Sequence, residues 1–178
     1  MFIRLKKIKG NDYGYVVHNS WTDKGARQKV AKYLGKVHKP EKARSKGLKE
    51  LLGIEDIEAY MGSKSYMELI DDIIRLELHN HKADDAFFMA GHELKTLMGK
   101  SAIIQANQGF ICSETIKPLK EYRADEDDGT LLANLITAAG IGIEKELFVM
   151  LFEKAKEETT QTAEKQQQQQ QPKGEFYY

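Results

Sequence analysis

The chain has 178 residues, 41% of them hydrophobic, with 27 basic and 27 acidic side chains. That is enough apolar material for a real core, yet no run approaches the ~20 apolar residues of a membrane span. The single cysteine, Cys112, excludes an intrachain disulfide and a four-cysteine zinc site.

The neutral total hides a polarity. Residues 1–50 hold fourteen cations against four carboxylates, a charge of +10, which leaves −10 on residues 51–178. A cationic module joined to an anionic one predicts a polyanion partner at the basic end. The lone thiol suggests a reducing, cytoplasmic compartment. The opening Met-Phe-Ile-Arg-Leu-Lys-Lys lacks the continuous apolar stretch of a signal peptide.

In chain order, residues 2–9 alternate apolar and charged side chains, and Gly10-Asn11-Asp12 signals a turn. Tyr13 to His18 is rich in β-formers, and Trp21 to Gly25 supplies a second turn. Arg27 to Val37 leans towards a third strand, the competing reading being a short helix over 26–34 capped by Gly35. The expectation is a three-stranded antiparallel meander closed by Pro40, with Phe2, Val16, Val30 and Leu34 facing the rest of the protein. Its other face would carry Arg4, Lys6, Arg27, Lys29 and Lys36 beside Tyr13, Tyr15, Trp21 and Tyr33. Lys7, Lys24 and Lys32 complete the candidate set. Such a face suits nucleic acid, because cations bind phosphate and rings stack on unpaired bases.

The stretch Lys24-Gly25-Ala26-Arg27-Gln28-Lys29-Val30, continuing through Leu34-Gly35 after two hairpin-like strands, resembles a basic leader of IS4/IS1634-type transposases. It is also similar to the start of small uncharacterised archaeal proteins. The resemblance covers about the first forty residues and implies association with nucleic acid. No ordered Asp/Asp/Glu set accompanies it, so it points to a binding module and not to transposition.

After a linker with a short helix around Leu48-Leu51-Leu52 (41–64), the pattern becomes helical. Tyr66, Leu69, Ile70, Ile73 and Ile74 recur at three–four spacing, and Ser65 with Glu68 forms a capping-box signature. A second helix is expected from Asp84 or Asp85 to Met98, with Gly99 as its stop. Ser101 to Gln105 and Gly109 to Cys112 read as two short strands or an extended connection. Ser113 and Glu114 favour a helix start, although Pro118 argues for a first regular turn near itself. Asp127-Asp128 cap a helix from Leu131 to Ala139, and Ile143 to Glu158 forms the last amphipathic one. The predicted fold is thus α+β: a basic β module (1–40), a mostly α-helical body (65–158) and a disordered, glutamine-rich tail (159–178). A final stripe wider than one bundle can bury would make a homodimer interface.

His79, His81 and His92, with Asp84, Asp85 and Glu93, form the one cluster that resembles metal ligands. A helix C-terminus accounts for His79 and His81 without metal, and no metal or cofactor is expected. Cys112 lies in an apolar stretch and reads as a buried thiol. Gly99-Lys100-Ser101 lacks the upstream glycine of a P-loop, since Leu94 stands there. No nucleophile–base pair stands out. In the tail, Gln171, Phe176, Tyr177 and Tyr178 are similar to the sliding-clamp (PCNA) interaction peptide, with Gly174 where that motif has an aliphatic anchor. The reading is a non-enzymatic nucleic-acid-binding protein, DNA favoured slightly over RNA, whose tail recruits a partner such as a sliding clamp. The alternatives are a protein-interaction or ribosome-associated adaptor and a small metal-dependent nuclease.

Overall fold

A computed structural model describes residues 2–23, 25–124 and 129–169. The fold is α+β: an antiparallel β-meander comes first, and helices dominate the remainder of the chain. Strands β1 (Phe2–Ile8), β2 (Asn11–Thr22) and β3 (Gly25–His38) pair in order, from Phe2 opposite Val17 to Thr22 opposite Gly25. The first turn is Lys9-Gly10, one residue earlier than the sequence suggests; both have positive φ, as a two-residue hairpin of the tightest twist requires. Residues 26–34 are strand, and the short-helix alternative falls: Ala26 to Val30, Lys32 and Tyr33 each have a partner on β2.

Three α-helices come next: α1 (Leu48–Leu52), α2 (Ile57–Ser63) and α3 (Tyr66–Asn80). Helix α3 starts as its sequence predicts, with the Ser65 hydroxyl accepting from the Glu68 amide and the Glu68 carboxylate accepting from the Ser65 amide. Leu69, Ile70, Ile73 and Ile74 are buried along it and form the centre of the main core. Burial and the hydrogen bond from the Tyr60 hydroxyl to Asp72 push the Tyr60 phenol up to about 12, so it stays a donor at neutral pH.

The expected helix over 84–98 is absent. In its place stands a hairpin of β4 (Phe87–Ala90) and β5 (Glu93–Thr96), turned by Gly91-His92 with Gly91 at φ +62°. Glycine at the first central position is what this two-residue turn demands, and it interrupts any helix there. The hairpin's Leu94 is buried in the main core.

Strands β6 (Ile103–Ala106) and β7 (Gly109–Ile111) form a second hairpin, and β6 joins β3 in parallel at Val37 and His38. One five-stranded sheet results, in the order β1-β2-β3-β6-β7. Beneath it Ile3, Leu5 and Leu34 pack with Val37, Ile103, Phe110 and Cys112. The Cys112 thiol is buried, and burial raises its pKa. At Gly14 the sheet and Ile103 come so close that a Cβ would lie 2.8 Å from Ile103 Cδ1.

Helices α4 (Ser113–Lys120), α5 (Thr130–Ala138) and α6 (Lys145–Gln169) close the body. Helix α4 starts at Ser113 and takes Pro118 into its later half. The expected Asp127-Asp128 cap lies outside the described residues. Helix α6 runs past the end of its apolar pattern. Glutamate and glutamine favour helix, and Glu158 Oε1 accepts from the Tyr66 amide at 2.7 Å while Thr159 Oγ1 accepts from the Ala124 amide. The body closes on itself where β7 meets the end of α5: a Cβ on Gly109 would sit 2.3 Å from both Gly140 N and Thr137 O. Among the described residues, no helix is long and apolar enough to cross a membrane.

Candidate nucleic-acid interface

Residues paired across antiparallel strands share a face, so the register sorts the basic module into two sides. Ile3, Leu5, Gly14 and Val37 face inward. On the outer side Arg4 stands opposite Tyr15, Lys6 opposite Tyr13, Tyr15 opposite Tyr33 and Tyr13 opposite Lys36. The three phenol rings form one contiguous group: Tyr15 and Tyr33 centroids are 5.2 Å apart, Tyr13 and Tyr33 6.3 Å. Both spacings lie within the favoured range for aromatic pairs. Tyr33 is 56% exposed, and the other two rings are half-buried.

Beside this group lies a concavity of about 320 Å³, whose lining includes Arg4, Leu5, Lys6, Tyr15, Gln28 and Val30. Arg4 Nη1 donates to Gln28 Oε1 at 2.7 Å, which spans the concavity and orients the guanidinium. Among the described residues, neither Lys6 nor Lys36 takes part in a salt bridge, so both keep their charge for a ligand. The sequence does not single out Gln28 or Val17 for this face, although Gln28 belongs to the leader-like stretch, and it assigns Val30 to the opposite one.

The structure does not bring all the candidates together. Two register shifts, between Gly14 and Tyr15 and between Val16 and Val17, each put an extra residue in β3; the first turns Tyr33 outward and Lys32 inward, and the second restores the alternation beyond it. Val30 and Phe2 sit opposite Val17 on the outer side, 64% and 43% exposed, and do not cover the body as expected; Val16 is buried and Leu34 half-buried. Arg27 and Lys29, opposite Ser20 and His18, fall on the inner side of the projecting end of the hairpin. Lys32 is on that side too, held by Glu114 Oε1 at 2.6 Å, and that bond raises its pKa. Lys7 faces away from Lys6, opposite Asp12, whose carboxylate Lys39 binds at 2.6 Å. Trp21 is 82% exposed near the hairpin tip. Lys24, Gln171, Phe176, Tyr177 and Tyr178 lie outside the described residues.

The histidines are separated. His79 Nδ1 is 2.8 Å from Asp84 Oδ2, and Arg44 Nη1 donates to the His79 carbonyl. His81 is buried against Glu77, whose carboxylate also accepts from Asn107 Nδ2 and the Gly142 amide. That set ties α3 to the β6–β7 turn and to the connection before α6. His92 sits in the β4–β5 turn. Among the described residues, no three His, Cys, Asp or Glu side chains are grouped to hold a metal ion. No protein-family model, curated protein or solved structure matches this chain.

Proposed function

We propose that this chain binds nucleic acid through the outer face of its N-terminal sheet. Arg4, Lys6 and Lys36 hold phosphates, and Tyr13, Tyr15 and Tyr33 offer rings on which unpaired bases stack. The observation that carries this reading is the contiguous three-tyrosine group on an exposed sheet face, bordered by cations opposite its own rings. A solvated structural face has no need to hold three aromatics together at its surface, and the +10 charge of residues 1–50 adds attraction at long range. The leader-like stretch inclines the reading to DNA over RNA. The role is binding, without a reaction at this face. Recruitment of a partner such as a sliding clamp through Gln171 and Phe176-Tyr177-Tyr178 belongs to the same reading on sequence grounds alone.

Fluorescence anisotropy with labelled single-stranded and double-stranded DNA and RNA, across a salt series, tests it. Expected is binding that weakens steeply with salt and is lost in the Tyr15→Ala, Tyr33→Ala double variant. If no nucleic acid binds at low salt, the reading fails and the charge polarity requires an acidic protein partner.

A further inference from the structure

Among the described residues strand β1 pairs along β2 as far as Val17, and residues 18–22 of β2 with 25–29 of β3 continue as a two-stranded ribbon beyond the sheet. Five residues of β2 at about 3.4 Å each carry it roughly 17 Å outward. The ribbon has no buried hydrophobic residue, and Trp21 near its tip is the chain's one tryptophan. An isolated two-stranded ribbon is marginal in water, so its length is not explained by the core.

Its two sides differ. One continues the tyrosine face, with Asn19 opposite Gln28 and Trp21 opposite Ala26; the other sets Ser20 opposite Arg27 and His18 opposite Lys29. Among the described residues, Arg27 and Lys29 join no salt bridge. A two-stranded ribbon is one of the few protein elements that the major groove of a duplex admits, at about 12 Å wide. Asparagine, glutamine and arginine are side chains that read base edges there, and arginine and lysine also bind the flanking phosphates.

We infer that the ribbon lies in a duplex groove while the adjoining tyrosine face holds unpaired strand, so the preferred ligand is a duplex continued by a single-stranded overhang. This rests on the reading of the sheet as a nucleic-acid face. A platform for unpaired bases and a groove-sized ribbon succeed one another along the same two strands, and a junction presents both partners in that order.

The test uses the full chain with three labelled DNAs: a single strand, a blunt duplex, and a duplex bearing the same single strand as an overhang. The overhang duplex is expected to bind at least tenfold tighter than either other DNA. The Trp21→Ala, Arg27→Ala, Lys29→Ala variant should lose that preference and keep its single-strand affinity within about twofold. In the unaltered chain, Trp21 emission should change on saturation with the overhang duplex and stay unchanged with the single strand. Equal affinity for single strand and overhang duplex, or unchanged Trp21 emission when the overhang duplex is saturating, overturns the inference and leaves the proposed function standing. Failure of all three DNAs to bind removes the inference, and failure of the RNA probes as well removes the proposed function.

Discussion

Helix α3 and the β2–β3 ribbon are built from segments of similar length, yet they show two opposite uses of a sequence. Helix α3 is wrapped on several sides and buries Leu69, Ile70, Ile73 and Ile74 almost completely. The ribbon leaves Trp21 in solvent, and among the described residues its Arg27 and Lys29 join no salt bridge. Burial fixes the first element in the absence of any ligand. The second is costly to keep exposed, and the proposed reading gives it a nucleic-acid partner. The sheet's underside, with its small cluster around Val37, Ile103 and Cys112, is the joint between the two regimes.

The comparison can be broken by exchanging stability and binding effects between the two regions. The largest expected effect is at the tightest joint of the body. Gly140→Ala would bring a Cβ to 2.3 Å from the Ala106 carbonyl oxygen at φ +69°, and should cost about 3 kcal/mol or more of unfolding free energy in a urea melt. Ile70→Ala, a truncation at a fully buried position, should cost about 2–5 kcal/mol. Neither should alter nucleic-acid affinity while the protein stays folded.

Tyr33→Ala should do the reverse. Loss of one cross-strand aromatic contact costs about 0.2–1 kcal/mol of stability, whereas loss of a stacking surface weakens single-strand binding about tenfold to a hundredfold. A Tyr33→Ala protein that unfolds readily and binds normally would reverse the assignment of the two regions. Arg27→Ala with Lys29→Ala should leave the melting temperature in place and, with the overhang duplex, reduce the slope of log affinity against log salt by about 2.

The smallest effect belongs to the cap of α3. The Ser65 amide and hydroxyl hold the Glu68 carboxyl below its ordinary value of 4.5. A carboxyl with a depressed folded pKa stabilises the fold at pH values above 4.5, and that contribution fades as pH falls through its folded value. Glu68→Gln should therefore show a shallower loss of stability than the unaltered chain as acid is added below pH ~4.5, because it lacks the depressed carboxyl.

How much of this was legible in the sequence obeys the same division. Helix α3 could be read because capping chemistry and apolar spacing agree at the same residues. The meander could be read from its β-formers and turns. The β4–β5 hairpin was missed because Phe87, Phe88, Leu94, Leu97 and Met98 also satisfy a helical spacing, and strands of four residues are too short for alternation to compete. Gly91-His92 was the available signal. At the site, residue types pointed to cations and rings together, but the faces of Tyr33 and Lys32 depend on the two register shifts beside Tyr15 and Val17. Nothing local in the sequence marks those shifts. They turn Tyr33 outward to join Tyr13 and Tyr15 and turn Lys32 inward towards Glu114.

The most direct measurement of the central claim is the affinity of a labelled single strand for the unaltered chain and for Lys6→Ala with Lys36→Ala, each across a salt series. Three phosphate contacts by Arg4, Lys6 and Lys36 predict a slope of about −2 in log affinity against log salt, falling to about −0.7 in the double variant. A slope unchanged by the two substitutions, with affinity intact, would contradict the assignment of this face.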